Sequence, residues 1–384
     1  MTRLSDPERL GRKPPLQANC IGLWTSVVRA RADILRLLTA VAAATFCLAL
    51  STSGATPATP IASRRSSSSF DFSYVVRVSP PPGKHDVRVW IPLPSTDEFQ
   101  TISEVHLEAP AKVRMRTEMK DGNQFACITV NPSRIPSPFE IRLTFHAVRY
   151  ERRLDLASAI DPPGPFPKDV AAFLQPDKLV PIDGAIASVT REQTQGLASP
   201  IEKARRIYEY VVQTMRHDRE GTGACRDDCT DLHSLFIAMA RAAGIPARLD
   251  IGFLLPEGQK EGIVPGYHSW AEFYVNGIGW IPVDAAQASQ GPNMRDDFFG
   301  AIDAHRVMVS MGRGIGVMLA SEARPSDYMV YPHIEMDGKA SPDYSVDFFF
   351  DEARFASATP SLTRKPIFAG GRWMAGGRFP RFPS

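Results

Sequence analysis

The sequence predicts an α+β protein, in which an N-terminal antiparallel β-sandwich is followed by a helix packed on an antiparallel sheet. Residues 71–158 contain short alternating segments separated by Pro- and Gly-rich turns, which is typical of a sandwich. An amphipathic helix is predicted from about residue 229, because apolar residues recur there at helical spacing. A hairpin is predicted at residues 268–284, where two apolar segments flank Asn-Gly-Ile-Gly.

The composition is that of a globular protein with room for two domains. The chain has 384 residues, of which 43% are hydrophobic and 22% are charged. Its net charge of +2 gives no electrostatic reason to expect nucleic acid as a partner. Beyond the N-terminal segment the cysteines are Cys127, Cys225 and Cys229, too few for a disulfide framework. A catalytic thiol fits this distribution better.

Residues 1–55 have the pattern of a secretory signal segment. Leu37–Leu50 is an uncharged, mostly apolar run that follows Arg36 and precedes small residues. The run is shorter than the roughly 20 residues of a membrane span. We therefore expect a secreted or periplasmic protein with no stable span after cleavage, and an uncleaved anchor is the alternative. Residues 56–70, rich in Pro and Ser, predict a disordered linker.

Four segments of the predicted sandwich are rich in β-branched and aromatic residues: 72–78, 86–91, 124–130 and 140–148. They carry no catalytic pattern, so we expect the sandwich (71–158) to pack against the next domain or to hold a substrate. Tyr328–Met336 and Tyr344–Phe350 predict two more strands, which we expect to close the sheet of the catalytic domain (159–352). Residues 353–384, with Gly pairs and scattered arginines, predict a flexible basic tail.

Two helices of the catalytic domain lead to a cysteine. Ser199 and Glu202 form a capping box, and the helix that follows should run to about Arg216. A loop over residues 217–228 would then deliver Cys229. The buried face of the second helix is predicted by its apolar stripe: Leu232, Leu235, Phe236, Met239 and Ala243.

The ends of the second helix determine the environment of Cys229. Gly244, followed by Pro246, ends the helix. Cys229 therefore lies at or just before the first turn. Free backbone N–H groups and the helix dipole there favour the thiolate form of a cysteine.

The predicted hairpin brings a histidine and a carboxylate together. With Val275 facing Trp280 across the turn, Asp284 lies near His268 on the partner strand. A thiol at a helix start, a histidine and a carboxylate on an adjacent strand make an arrangement of nucleophile, base and orienting group. Pro256–Gly266, just before the histidine, predicts a lid or specificity loop.

Three segments resemble the transglutaminase-like superfamily: Cys229–Arg248, His268–Glu272 and Gly279–Asp284. The resemblance implies a papain-like fold with the catalytic triad Cys229, His268 and Asp284. We expect neither a cofactor nor a metal, and no Asp/Asn-rich calcium loop stands out in the sequence. A weaker likeness, to secreted bacterial members with a β-rich N-terminal half, extends over most of the chain. It implies a thiol-dependent hydrolase or acyltransferase that acts on protein or peptide amides, with proteolysis favoured over crosslinking.

Two other classes of protein stay open. Asp228 directly precedes Cys229 and would raise the thiol pKa by like-charge repulsion, so a catalytically weak or inactive binding module is the second hypothesis. A zinc-bound structural module, with His217, Cys225, Cys229 and His233 as ligands, is the third. The usual finger spacings are absent, which argues against zinc. Cys225 is otherwise a bystander, or the partner of Cys229 in a reversible disulfide.

Overall fold

The structure is a computed structural model of the chain. It describes residues 66–83, 85–131, 138–159, 161–177, 179–221, 228–315 and 328–352, and it does not describe the side chains of 215–221 and 228. The predicted signal segment, the predicted tail and Cys225 lie outside the described residues. The described residues form the α+β protein with antiparallel sheets that the sequence predicts.

The described helices are short except for two. They are α1 (Lys168–Ala171), α2 (Gly184–Gln193), α3 (Pro200–Gly221), α4 (Asp228–Ala242) and α5 (Ala285–Ala288), with 3-10 turns at Ala172–Leu174 and Pro292–Met294. The predicted apolar face of α3 is buried at Ala204, Ile207, Tyr208, Val211 and Val212. This burial stabilises α3 beside α4, as its amphipathic pattern predicts.

The strands follow the alternating segments of the sequence and add several that were not predicted. They are β1 (Ser67–Val78), β2 (Val87–Leu93), β3 (Gln100–Glu108), β4 (Val113–Thr117), β5 (Gln124–Val130), β6 (Phe139–Tyr150), β7 (Arg152–Arg153), β8 (Ala247–Leu254), β9 (Glu261–Ile263), β10 (Tyr267–Val275), β11 (Gly279–Val283), β12 (Ala301–Ile302), β13 (Arg306–Met311), β14 (His333–Met336), β15 (Lys339–Ala340) and β16 (Tyr344–Glu352).

Two five-stranded antiparallel sheets combine strands from both ends of the described chain. Their strand orders are β3-β6-β1-β16-β9 and β15-β14-β2-β5-β4. The prediction that the last strands close the catalytic sheet is therefore wrong, because β16 pairs with β1 and β14 pairs with β2. Aromatic packing on the inner face accounts for the difference. The ring of Phe348 lies 4.8 Å from that of Tyr74 and 6.4 Å from that of Phe72.

A four-stranded antiparallel sheet, in the order β11-β10-β8-β13, supports the helix that carries Cys229. Helix α4 packs across β10, where the Phe236 and Phe273 rings lie 6.1 Å apart. Gly252 of β8 approaches β13 so closely that a Cβ atom would lie 1.8 Å from the carbonyl oxygen of Val307. The close approach fixes β13 beside β8. It thereby fixes the position of Arg306, the first residue of β13.

Two predicted boundaries differ from the structure. Strand β1 begins at Ser67, inside the predicted linker 56–70, and Phe70 is fully buried. Burial of that ring explains why the strand extends into a segment of polar composition. Helix α3 ends at Gly221, so the first part of the predicted loop 217–228 is helical.

The register of the hairpin that carries His268 and Asp284 is one residue from the predicted one. Tyr274, not Val275, faces Trp280, and Val275 faces Gly279. Three residues therefore form the turn, and Gly277 among them has φ +77°. Glycine adopts this left-handed conformation without steric cost, which selects the three-residue turn.

The predicted lid, Pro256–Gly266, contributes a strand to the five-stranded sheet that contains β1 and β16. Its strand β9 pairs with β16, and the Val264 N–H donates to the Phe348 carbonyl over 3.0 Å. A role as a lid stays a prediction, as do the domain boundaries 71–158 and 159–352. In the ranges that the structure describes, no helix combines the length and the apolar character needed to cross a membrane.

Candidate active site

The thiol of Cys229 lies half-buried at the second residue of α4. The groups that stabilise the negative charge on its sulfur are the His268 ring and the hydroxyl and backbone N–H of Ser269. Burial by itself raises the thiol pKa, but the hydrogen bond and charge of His268, followed by the two Ser269 bonds, bring it below the ordinary value. These neighbours therefore favour the thiolate form of Cys229 more than water would.

His268 connects this thiol to a buried carboxylate. Its Nε2 donates to Asp284 Oδ2 over 2.7 Å, which leaves Nδ1 for the bond with Cys229. His268 is 9% exposed and Asp284 is fully buried. Burial lowers the His268 pKa, but the Asp284 charge and hydrogen bond outweigh it and raise the pKa to about 9. The imidazolium form of His268 is therefore favoured at neutral pH.

Both oxygens of the Asp284 carboxylate are occupied. Oδ1 accepts the Gln287 backbone N–H over 3.0 Å and so caps helix α5. Oδ2 accepts from His268 and also from Arg306 Nη1, at 3.0 Å. Burial raises the Asp284 pKa, but the His268 and Arg306 charges hold it far below its usual range. This carboxylate therefore caps a helix and orients the imidazole at the same time.

His233, one helical turn after Cys229, braces the chain around the site. Its Nε2 accepts the Ala285 N–H over 3.0 Å, and its Nδ1 lies 3.2 Å from the Ser269 hydroxyl. Its pKa is lowered to about 4, chiefly by complete burial. Both ring nitrogens are thus used within the protein, which argues against His233 as a zinc ligand. The other proposed ligands His217 and Cys225 lie outside the described side chains.

An aromatic ring and two arginines pack near His268. Trp270 lies two residues after His268, with ring centroids 6.4 Å apart. The guanidinium of Arg306 lies 5.1 Å from the Trp270 centroid, and that of Arg149 lies 5.8 Å from it. Trp270 is therefore buried packing for the site rather than a wall open to substrate.

A series of hydroxyl groups lies beside the thiol. The Thr230 hydroxyl is 4.0 Å from Cys229 Sγ and 3.1 Å from the Tyr267 hydroxyl. The Tyr267 hydroxyl in turn lies 3.2 Å from that of Tyr328. These half-buried rings give the site an amphipathic border that can accept both apolar and hydrogen-bonding groups.

The structure brings the three predicted residues together, with His268 hydrogen-bonded to Asp284 and the Cys229 thiol beside the His268 ring, even though the predicted hairpin register was wrong. Sequence reasoning missed Ser269 and Arg306. Ser269 follows the histidine directly and could have been found from that position, but Arg306 lies 22 residues after Asp284, and no local pattern connects the two. Within the described part of the chain, no group of three His, Cys, Asp or Glu residues is placed to hold a metal ion.

A thiol at a helix start, a histidine on an antiparallel sheet and a buried aspartate form an arrangement of the papain-like kind. Residues 187–285 match the family model of the transglutaminase-like superfamily, so this part of the chain is a transglutaminase-like domain. It contains Cys229, His268 and Asp284.

Two comparisons extend beyond that domain. The chain is 24% identical over 320 residues to an uncharacterised protein from Haemophilus influenzae, covering 70% of this chain and 86% of the relative. It is also similar to the crystal structure of a presumed cysteine protease from Cytophaga hutchinsonii, with a TM-score of 0.50 and 15% identity. The alignment covers 78% of this chain and 96% of that one, and it shows a shared fold.

Proposed function

We propose that the chain is a thiol enzyme that cleaves protein or peptide amides through a thioester on Cys229. The observation that carries the proposal is the series from the Cys229 thiol through His268 to the buried Asp284 carboxylate. A thiol is a nucleophile only as the thiolate, and this series is the means by which proteins stabilise one. The transglutaminase-like domain and the fold shared with a presumed cysteine protease support the same role.

In the proposed reaction, the Cys229 thiolate attacks the amide carbonyl carbon, and the C=O π electrons move to the oxygen. When the tetrahedral intermediate collapses, the C–N bond breaks and the His268 imidazolium gives its proton to the departing amine. Neutral His268 then takes a proton from water as the water attacks the thioester. Collapse of the second intermediate breaks the C–S bond and releases the carboxylic acid. Cys229 is regenerated as the thiolate, and His268 keeps its proton as the imidazolium.

The oxyanion of both intermediates needs hydrogen-bond donors. The backbone N–H of Cys229 is the donor we propose first, because it lies in the first turn of α4 and has no partner within its own helix. Asp284 takes no proton in any step. Its role is to fix the ring so that Nδ1 faces the sulfur, and to stabilise the imidazolium.

We favour hydrolysis over crosslinking because of the likeness to bacterial members of the superfamily. If an amine replaced water at the thioester, the product would be a new amide. We also propose that the substrate is reached outside the cytoplasm, because of the signal-like pattern at Leu37–Leu50. A protein or peptide substrate is therefore the expected partner.

Iodoacetamide labelling with peptide mapping across pH tests the enzyme proposal. We expect Cys229 to react selectively, with an apparent pKa well below 8.5, and His268→Ala to abolish that selectivity. Cys127 is an internal control, because burial raises its pKa. The enzyme proposal fails if Cys229 is alkylated no faster than Cys127 and if its rate is the same in His268→Ala. The binding module is then the favoured hypothesis.

Substrate assays then distinguish the two acceptors. The protein is incubated with a peptide library and a fluorescent primary amine. New peptide termini indicate hydrolysis, whereas fluorescent peptides indicate transfer to the amine. Cys229→Ala is the control for both products, and hydrolysis is overturned if amine incorporation dominates at low amine concentration.

A further inference from the structure

Arg306 is a fully buried arginine beside the candidate catalytic carboxylate. Its side chain has no exposed surface, although a guanidinium is costly to remove from water. It lies at the start of β13, in a different part of the sheet from the hairpin that carries His268 and Asp284. Nothing in the proposed proton transfers requires a second cation at this place. Its position therefore needs an explanation of its own.

The guanidinium shares one carboxylate oxygen with the imidazole. Asp284 Oδ2 accepts from His268 Nε2 at 2.7 Å and from Arg306 Nη1 at 3.0 Å. Oδ1 is held separately by the Gln287 backbone N–H. With donors on both oxygens the carboxylate cannot rotate without breaking a hydrogen bond, so the oxygen that faces the imidazole is fixed.

Arg306 is itself held in one orientation. Its Nη2 donates to the Asp303 carboxylate and to Gln287 Oε1, the latter at 3.1 Å. The flat face of the guanidinium lies 5.1 Å from the centroid of Trp270. The planar fork of an arginine satisfies these partners at once, which a lysine ammonium cannot do.

We propose that Arg306 is a positioning residue for the Cys229 reaction, because its guanidinium fixes the Asp284 oxygen that orients His268. This inference rests on the proposed function. The same geometry has an electrostatic consequence. Arg306 competes with His268 for one oxygen and places a positive charge near the imidazolium, so it limits how strongly Asp284 favours the protonated ring. A lower His268 pKa makes it easier for the imidazolium to give its proton to the leaving amine.

Several elements packed around Arg306 and His268 contribute charged groups. The charged and titratable groups that face Arg306 or His268 are Cys229 and His233 of α4, Asp284 after β11, Asp303 before β13, and Arg149 of β6. Among these, Asp284 raises the His268 pKa and Arg306 lowers it. Removal of the Arg306 charge should therefore raise the His268 pKa.

The test uses the full chain with isotope-labelled histidine, and follows the His268 ring signals by NMR across pH. The signals are assigned by their absence in His268→Ala. In Arg306→Gln we expect the His268 pKa to rise by about one unit, since the amide keeps a donor but lacks the charge. Arg306→Lys restores the charge and should return the pKa close to the wild-type value.

A merely structural arginine would give a different result. Arg152 is a matched control, because it is nearly buried and paired with Glu272 but does not contact Asp284. Arg152→Met should lower stability and leave the His268 pKa unchanged. If folded Arg306→Gln behaves like Arg152→Met, the positioning role is overturned.

A second variant decides the question if neither Arg306 variant folds. The Asp303 side chain is 32% exposed, so Asp303→Asn should be tolerated. It leaves Asp284 as the carboxylate partner of Arg306, and the His268 pKa should fall. An unchanged pKa there overturns the proposal as well.

Iodoacetamide alkylation separates this proposal from the proposed function. If wild-type Cys229 is alkylated no faster than in His268→Ala, the proposed thiol enzyme itself fails. If alkylation depends on His268 but the variants of Arg306 and Asp303 do not move the His268 pKa, only the role of Arg306 is refuted.

Discussion

Replacement of Asp284 by Asn removes the negative charge from the series while keeping nearly the same shape. The amide oxygen of Asn can still accept the Gln287 N–H that caps α5. The hydrogen bond and charge that raise the His268 pKa to about 9 are lost. Burial and the Arg306 charge, which both lower that pKa, then act without opposition from Asp284. We expect the His268 pKa in Asp284→Asn to lie below its ordinary value.

The size of the effect follows from that change in pKa. A fall from about 9 to the ordinary value of about 6.5 corresponds to about 3.4 kcal/mol. At pH 7.5, a histidine with the lower pKa is protonated to only about one part in ten. The thiolate–imidazolium pair therefore falls about tenfold or more in population, and iodoacetamide alkylation of Cys229 should slow by a similar factor.

The assay compares alkylation rates of Cys229 at pH 7.5 in variants shown by circular dichroism to be folded. Asp250→Asn is the matched control, because Asp250 is also a buried carboxylate but has no hydrogen bond to His268. The control should keep the wild-type rate. An unchanged rate in folded Asp284→Asn would refute the reasoning, since the carboxylate would then have no influence on the thiolate.

Two further predictions concern stability. The lowered His233 pKa of about 4 means that unfolded chains bind a proton there below about pH 6.5 and folded chains do not. Stability should therefore fall by up to about 3 kcal/mol as pH drops from about 6.5 to about 4, and His233→Gln should remove this dependence. Urea unfolding at several pH values measures it. Gly252→Ala should abolish soluble folded protein, because the new Cβ would lie 1.8 Å from the Val307 carbonyl oxygen.

Each stability prediction has its own check. For His233, the difference in free energy of unfolding between wild type and variant isolates the contribution of this histidine. The titrating carboxylates affect both proteins equally and cancel. A difference independent of pH would contradict the argument. For Gly252, the control is Gly164→Ala, whose new Cβ would have Asn276 Nδ2 as its nearest neighbour, at 3.9 Å. Expression of Gly252→Ala at the level of this control would show that β8 and β13 can separate.

The sequence by itself determined the helix that carries Cys229, and it was enough to select the three candidate residues of the site. The stripe from Leu232 to Met239 is buried as its spacing predicts, and Gly244 ends the helix region with φ +80°. Helical periodicity reports local burial directly, because one face of a helix must meet the core. The family-like order of Cys229, His268 and Asp284 is likewise visible without coordinates.

The tertiary structure alone decided which strands meet and which charges surround the carboxylate. Pairing of β16 with β1 joins segments far apart in the chain, and alternation within a strand does not specify its partner. The hairpin register depended on the left-handed φ of Gly277, which the apolar pattern does not encode. Arg306 reaches Asp284 from β13, a strand outside the hairpin that carries His268. Long-range contacts of this kind come from the packing of separate elements, and no local pattern contains them.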